Sequence, residues 1–174
     1  MVSMNREIKF RGKRISNGEW LYGDLMHDTV DGCYVFPIDC AALYKENAIL
    51  PETIGQYTGL EDKNGKEIYE GDIIRYTDMD SFVVNPDCDP WLHFRRSYAI
   101  VREEVVVFEG GMFCTEGEGY PISHLGWESI KDLRECLDIP DNEDCDADGT
   151  VIDESLLGIE VIGNIYDNPD LVKQ

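Results

Sequence analysis

The chain carries 174 residues, with 36 Asp and Glu against 15 Lys and Arg, a formal charge of −21 at neutral pH. At 43% hydrophobic and 10% aromatic it is too apolar for a disordered chain, and it is long enough for one domain with its own core. So acidic a balance disfavours non-specific attachment to phosphate backbones, and no run nears the roughly 20 apolar residues of a membrane helix. Residues 1–10 hold no apolar stretch of the signal-peptide kind. A cytosolic protein is expected, with Met4 as an alternative start behind a short extension.

Glu7-Ile8-Lys9-Phe10-Arg11 alternates, which predicts a half-buried strand with Ile8 and Phe10 inward and the charges outward. Its basic residues make it read as a blunted sheet edge. Asn17-Gly18 suits a tight turn, Glu19 to Met26 the return strand, and Cys33 to Phe36 a further strand ended by Pro37. Ala41 to Glu46 predicts a helical turn, stopped at Ile49-Leu50-Pro51, and Thr53 to Tyr57 another strand. Asp62 to Lys66 and Glu70-Gly71-Asp72 are turns, with Ile73 to Tyr76 a strand after them. Pro86, Asp87, Asp89 and Pro90 mark residues 77–96 as an irregular excursion.

Ser97 to Glu109 is the longest predicted strand, and Gly110-Gly111 folds it back into Met112-Phe113-Cys114. Its uncharged run Val105-Val106-Val107-Phe108 is expected in the core or at a contact between copies, which leaves homo-oligomerisation open. One short helix is predicted near Trp127 to Leu137, where Ile130, Leu133 and Leu137 recur at helical spacing. Ile159 to Tyr166 reads as the last strand, with Gly163-Asn164 marking a bulge or a close backbone approach. The sum is an all-β fold, mostly β with one short helix. It reads as a barrel- or sandwich-like single domain over 1–174, with loop insertions at 77–96 and 126–158.

Candidate chemistry is sparse. Cysteines 33, 40, 88, 114, 136 and 145 are dispersed with no Cys-x-x-Cys pair, so reduced thiols are expected and structural zinc is disfavoured. Asp144-Cys145-Asp146-Ala147-Asp148-Gly149 matches the first half of a calcium loop, with Asp144, Asp146 and Asp148 as candidate ligands. Its second half departs from that pattern: Ile152 stands at position 9, Ser155 at position 12, and Glu154 falls one residue early. A solvated acidic loop is the simpler reading. His27, His93 and His124 sit far apart, and Cys114 with His124 is the nearest Cys–His pair, without any sign of an activated thiolate. No nucleotide-binding glycine loop or zinc-protease motif occurs, so no enzyme and no cofactor are expected.

Three segments carry a resemblance. They are Arg6-Glu7-Ile8-Lys9-Phe10-Arg11 with Trp20-Leu21-Tyr22-Gly23; Thr53-Ile54-Gly55-Gln56-Tyr57-Thr58-Gly59-Leu60 running on from Asp62 through Ile74; and Glu160 through Leu171. In this order and spread they resemble the YopX family of bacteriophage and prophage proteins. The resemblance implies a mostly-β fold and a phage or prophage origin, and with the cytosolic expectation above it places the protein in the cytoplasm of a bacterial host. It implies no catalytic residue. The same motifs are rich in Gly, Asn and Asp, the residues that turns demand.

Charge is unevenly placed. Arg6, Lys9, Arg11, Lys13 and Arg14 are five of the 15 basic residues, whereas Glu135 to Val172 holds 12 acids and no Lys or Arg. Three readings follow: an inert self-repelling surface with an incidental basic strand, an acidic face that docks a basic host or phage protein, or nucleic-acid contact through Lys9, Arg11, Lys13 and Arg14. The expectation taken forward is a non-enzymatic protein-interaction module with an acidic surface.

Overall fold

The computed structural model describes residues 7–28, 32–36, 44–84, 94–117, 119–139, 145–146 and 149–172. Strands Phe10–Lys13 (β1), Trp20–Asp28 (β2), Gly32–Phe36 (β3), Gly55–Glu61 (β4) and Glu67–Tyr69 (β5) form one antiparallel sheet in the order β3-β2-β1-β4-β5. Asp72–Val84 (β6), Phe94–Glu109 (β7), Met112–Thr115 (β8) and Glu160–Asn164 (β9) form a second, in the order β8-β7-β6-β9. The mostly-β expectation holds in its two-sheet form, and no barrel closes. No helix among the described residues is long and apolar enough to cross a membrane.

The main core lies between the sheets. Ile68 of β5, with Leu60 of β4 beside it, packs against Ile74 and Tyr76 of β6, Val106 of β7 and Phe113 of β8. Full burial of each large apolar side chain contributes about 1.5–3 kcal/mol, so this layer is the main adhesive between the sheets. A second cluster, Leu21, Cys33, Val35 and Ile49, backs the first sheet. The helix Ile130–Cys136 (α1) lays Leu133 and Leu137 against Ala99 of β7 and Ile152. It starts where expected for a physical reason: the Ser129 hydroxyl accepts the Asp132 N–H at 3.1 Å, satisfying an otherwise orphaned donor.

Four details depart from expectation. β1 is the central strand of its sheet rather than an edge, paired with β2 on one side and β4 on the other. Its inward side chain is Arg11, 4% exposed, while Ile8 lies before the strand and is 63% exposed. Residues 77–84 and 94–96 continue regular pairing, from Thr77↔Val101 out to Val84↔Phe94. The Pro- and Asp-rich stretch that suggested irregularity, 85–93, lies outside the described residues. The uncharged run is split, with Val105 and Val106 buried and Phe108 half exposed.

The predicted irregularity at Gly163 is present. Ile73 pairs with Gly163 but Ile74 with Val161, so Ile162 is the extra residue of a bulge. Gly163 also permits a close approach, since a Cβ there would stand 2.6 Å from the Asn168 side-chain oxygen. Of the helical turn expected at 41–46, Tyr44–Asn47 forms a 3-10 turn, and 41–43 lie outside the described residues.

Candidate functional site

Each of the four candidate cations Lys9, Arg11, Lys13 and Arg14 lies within 4.0 Å of a carboxylate of the same chain. The Arg11 guanidinium lies 2.6 Å from an Asp72 carboxylate oxygen and donates to the Glu70 carbonyl at 3.0 Å. Its planar face sits 4.7 Å from the Trp20 ring centre and 5.0 Å from that of Tyr69, a geometry that favours a cation. The second Asp72 oxygen accepts the Tyr69 N–H at 2.8 Å. Gly55 makes room here, because a Cβ on it would collide with the Glu70 carbonyl that Arg11 uses. Burial pushes the Asp72 carboxyl above the usual range, against the pull of Arg11 and the Tyr69 amide.

Lys9 and Lys13 are each matched by a carboxylate, and Arg14 more loosely. Lys9 pairs with Glu67 and lies 3.5 Å from Glu7; burial works against its charge, yet Glu67 outweighs that and holds its pKa above the ordinary value. Lys13 pairs with Asp167, and Arg14 stands 4.0 Å from Glu19. Asp167 also accepts from Trp20 Nε1 at 2.7 Å and Asn164 Nδ2 at 2.8 Å. Partial burial raises its carboxyl, but hydrogen bonds from Asn164, Lys13 and Trp20 overcome this and hold it at about 2.

These residues come from all three of the segments that carried the family resemblance. Arg11, Trp20 and Tyr22 belong to the first, Tyr57, Tyr69 and Asp72 to the second, and Asn164, Tyr166 and Asp167 to the third. The rings form two groups bridged by Arg11: Tyr69 lies 5.5 Å from Tyr22 and 5.4 Å from Tyr57, and Trp20 lies 6.0 Å from Tyr166. The cluster ties β1, β2, β4 and β5 to the start of β6 and the end of β9. Apart from the buried Arg11 Nε, which finds no hydrogen-bond partner among the described residues, its polar groups are largely spent on one another, which is the chemistry of a structural keystone.

The candidate calcium loop is partly visible. Asp144 and Asp148 lie outside the described residues. Asp146 is buried, and its two carboxylate oxygens accept the Ala99 N–H at 2.6 Å and the Thr150 N–H at 2.9 Å. That arrangement clips the bridged pair Cys145 and Val151 to the side of β7. Among the described residues, no three His, Cys, Asp or Glu side chains gather as they would around a metal ion. Cys114 is buried while His124 is exposed on the short turn Ile122–His124. His27 is exposed, and His93 lies outside the described residues.

Sequence reasoning missed two buried acids. Asp62 accepts the N–H groups of Asn64 at 2.8 Å and Lys66 at 2.9 Å with one oxygen, and that of Val161 at 3.0 Å with the other. Burial raises its carboxyl, but these three amides outweigh burial and lower it. Asp72 is the other. The only sequence signal for either was an Asp at the margin of a glycine turn, which many solvated turns share.

Lys63 pairs with Glu160, Arg75 with Glu103 and Arg102 with Asp78, so together with Lys9, Arg11, Lys13 and Arg14 seven cations lie against carboxylates of the same chain.

The chain shares 22% identity with the crystal structure of protein EF1440 from Enterococcus faecalis, over 96% of this chain and 99% of that one, with a TM-score of 0.42. No curated protein matches it. The model of the family described as YopX protein matches residues 9–173, from β1 through the last turn, and the chain belongs to the YopX family.

Proposed function

We propose that this chain is a non-enzymatic interaction module of a phage or prophage, whose acidic exterior receives a basic host or phage protein in the bacterial cytoplasm. The observation that carries this reading is the internal pairing of Lys9, Arg11, Lys13 and Arg14. Neutralised in place, they leave the chain's net charge of −21 to be carried by other residues, and these set the field that an approaching molecule meets. Such a field repels phosphate backbones and steers cationic surfaces, accelerating encounter more than it tightens the final complex. The same pairing weighs against nucleic-acid contact through these four residues. Asp146, already holding two backbone amides, has little left to offer a calcium ion.

The test is affinity capture on the intact chain from induced lysogens at low ionic strength, followed by a salt step. The reading expects a basic protein that elutes as salt passes about 0.15 M, where the screening length falls to about 8 Å. Capture of acidic partners alone, or of labelled oligonucleotides through Lys9 and Arg14, overturns it.

A further inference from the structure

We infer that the open edge of β7 between Ala99 and Val105 accepts an extended basic peptide segment as an added strand, with one aliphatic side chain seated in the adjoining groove. This inference rests on the proposed function and narrows it to one surface and one ligand chemistry.

The edge is bounded on both sides by hydrogen bonds. Glu116, just past β8, donates its N–H to the Val105 carbonyl at 2.9 Å, so Val105 directs its backbone groups away from β6. In an antiparallel strand alternate residues face the same neighbour, and Val101 and Glu103 therefore direct theirs to that side too. So does Ala99, whose N–H is taken by Asp146 at 2.6 Å. β8 pairs only with Val106 to Glu109. Between the two caps, Val101 and Glu103 keep outward N–H and C=O groups with no partner among the described residues. The window is about 20 Å long at the usual rise per residue, enough for a segment of about five or six residues. Natural edges of this kind are paired, covered or blunted.

Beside the window runs a groove of ≈ 570 Å³. Its apolar floor is Ile73, Val101 and Val105, and Leu171 and Val172 wall it. Val101 is 52% exposed and Val172 44%, which is high for valines that face each other across a groove. Glu103, Glu104 and Glu116 supply the charge. Arg75 answers Glu103 at 2.7 Å and the Tyr76 hydroxyl reaches Glu104 at 3.2 Å, but no cation faces Glu104 or Glu116 among the described contacts.

The pattern of side chains sets the ligand. Residues directly opposite on neighbouring strands share a face, so an added strand would place an aliphatic residue across from Val101. Lysine or arginine would then lie across from Glu103 and Glu104. Read from N- to C-terminus, an antiparallel ligand has the form basic-basic-x-aliphatic. A second copy of this chain fits poorly, because antiparallel pairing about the window's centre would set Arg102 against Arg102 and offer no lysine or arginine across from Glu103 or Glu104.

The experiment is selection of random nonapeptides on the intact chain at physiological salt, with the enriched peptide then titrated by fluorescence anisotropy. We expect Pro-free sequences carrying the basic pair and the aliphatic residue at that spacing. N-methylation of the ligand's alternate amides, which leaves the protein untouched, should weaken binding by about tenfold or more, since it removes the main-chain bonds that supply affinity in strand addition. Val101→Lys should do the same, and the Val101 and Glu103 amides should gain hydrogen-exchange protection on binding. Basic peptides that bind regardless of N-methylation and Val101→Lys overturn the edge site while leaving the broader acidic docking intact. Enrichment of no basic sequence overturns both, and protection of the edge in a peptide-free dimer overturns the peptide in favour of a second copy.

Discussion

Replacing Asp72 by Asn removes the carboxylate that faces Arg11 at 2.6 Å while keeping an acceptor for the Tyr69 N–H. Both partners are buried, with side-chain exposures of 5% and 2%, so the guanidinium cannot turn to water for compensation. Breaking a buried pair from one side costs about 3–5 kcal/mol, mostly the penalty of a stranded charge. The Glu70 carbonyl and the two rings remain, which places the expectation near the lower end of that range. For a chain of this size each kcal/mol lowers the melting temperature by about 2–4 °C, so a fall of about 6–12 °C is expected. Urea unfolding at constant slope would report the loss, and a changed slope would signal a change in the denatured or native state instead. Arg11→Met in the Asp72→Asn background should restore part of the stability, because the stranded charge is gone. A cost under about 1 kcal/mol for Asp72→Asn, or strictly additive single effects, would refute the keystone reasoning.

Acid should loosen the molecule in a defined window. Asp62 and Asp167 have folded pKa values below the ordinary 3.8, that of Asp167 about 2, so the stability they contribute is present above pH 4 and lost as pH falls from about 4 toward 2. Urea midpoints measured across that range should drop, and Asp167→Asn should flatten the drop; an unchanged slope would contradict the assignment. Asp146→Asn should cost about 1–3 kcal/mol through its two backbone amides, equally with and without millimolar calcium. A calcium-induced rise in melting temperature that the substitution abolishes would reinstate the loop as a metal site. Gly55→Ala should cost about 1–3 kcal/mol by overpacking against the Glu70 carbonyl, and a neutral result would mean that β4 can move away from it.

Local chemistry made much of the fold legible. The Gly110-Gly111 turn, the 3–4 spacing of Ile130, Leu133 and Leu137, and the bulge at Gly163 each follow from a constraint within a few residues of chain. β1 was misread because alternation counts arginine as polar. An arginine enclosed by Trp20, Tyr69 and Asp72 is instead an inward residue, and its partners lie 9, 58 and 61 positions away in sequence. The 77–84 extension was hidden by the prolines beyond it. Asp78 there is held by Arg102 at 2.6 Å, a cross-strand pairing invisible before register is known. Asp146 shows the same limit at the candidate site: the spacing that suggested a calcium ligand also suits a carboxylate that clips two backbone amides. The three recurring segments were legible as sequence, but their meeting around Arg11 is a property of the folded chain alone.

Docking of a basic partner on an acidic exterior is tested most directly by the salt dependence of partner affinity. With the captured basic partner titrated into the intact chain over a range of ionic strengths, the association constant should fall steadily as salt rises, with the association rate carrying most of the loss. An affinity that holds unchanged into molar salt would contradict recognition by the acidic exterior.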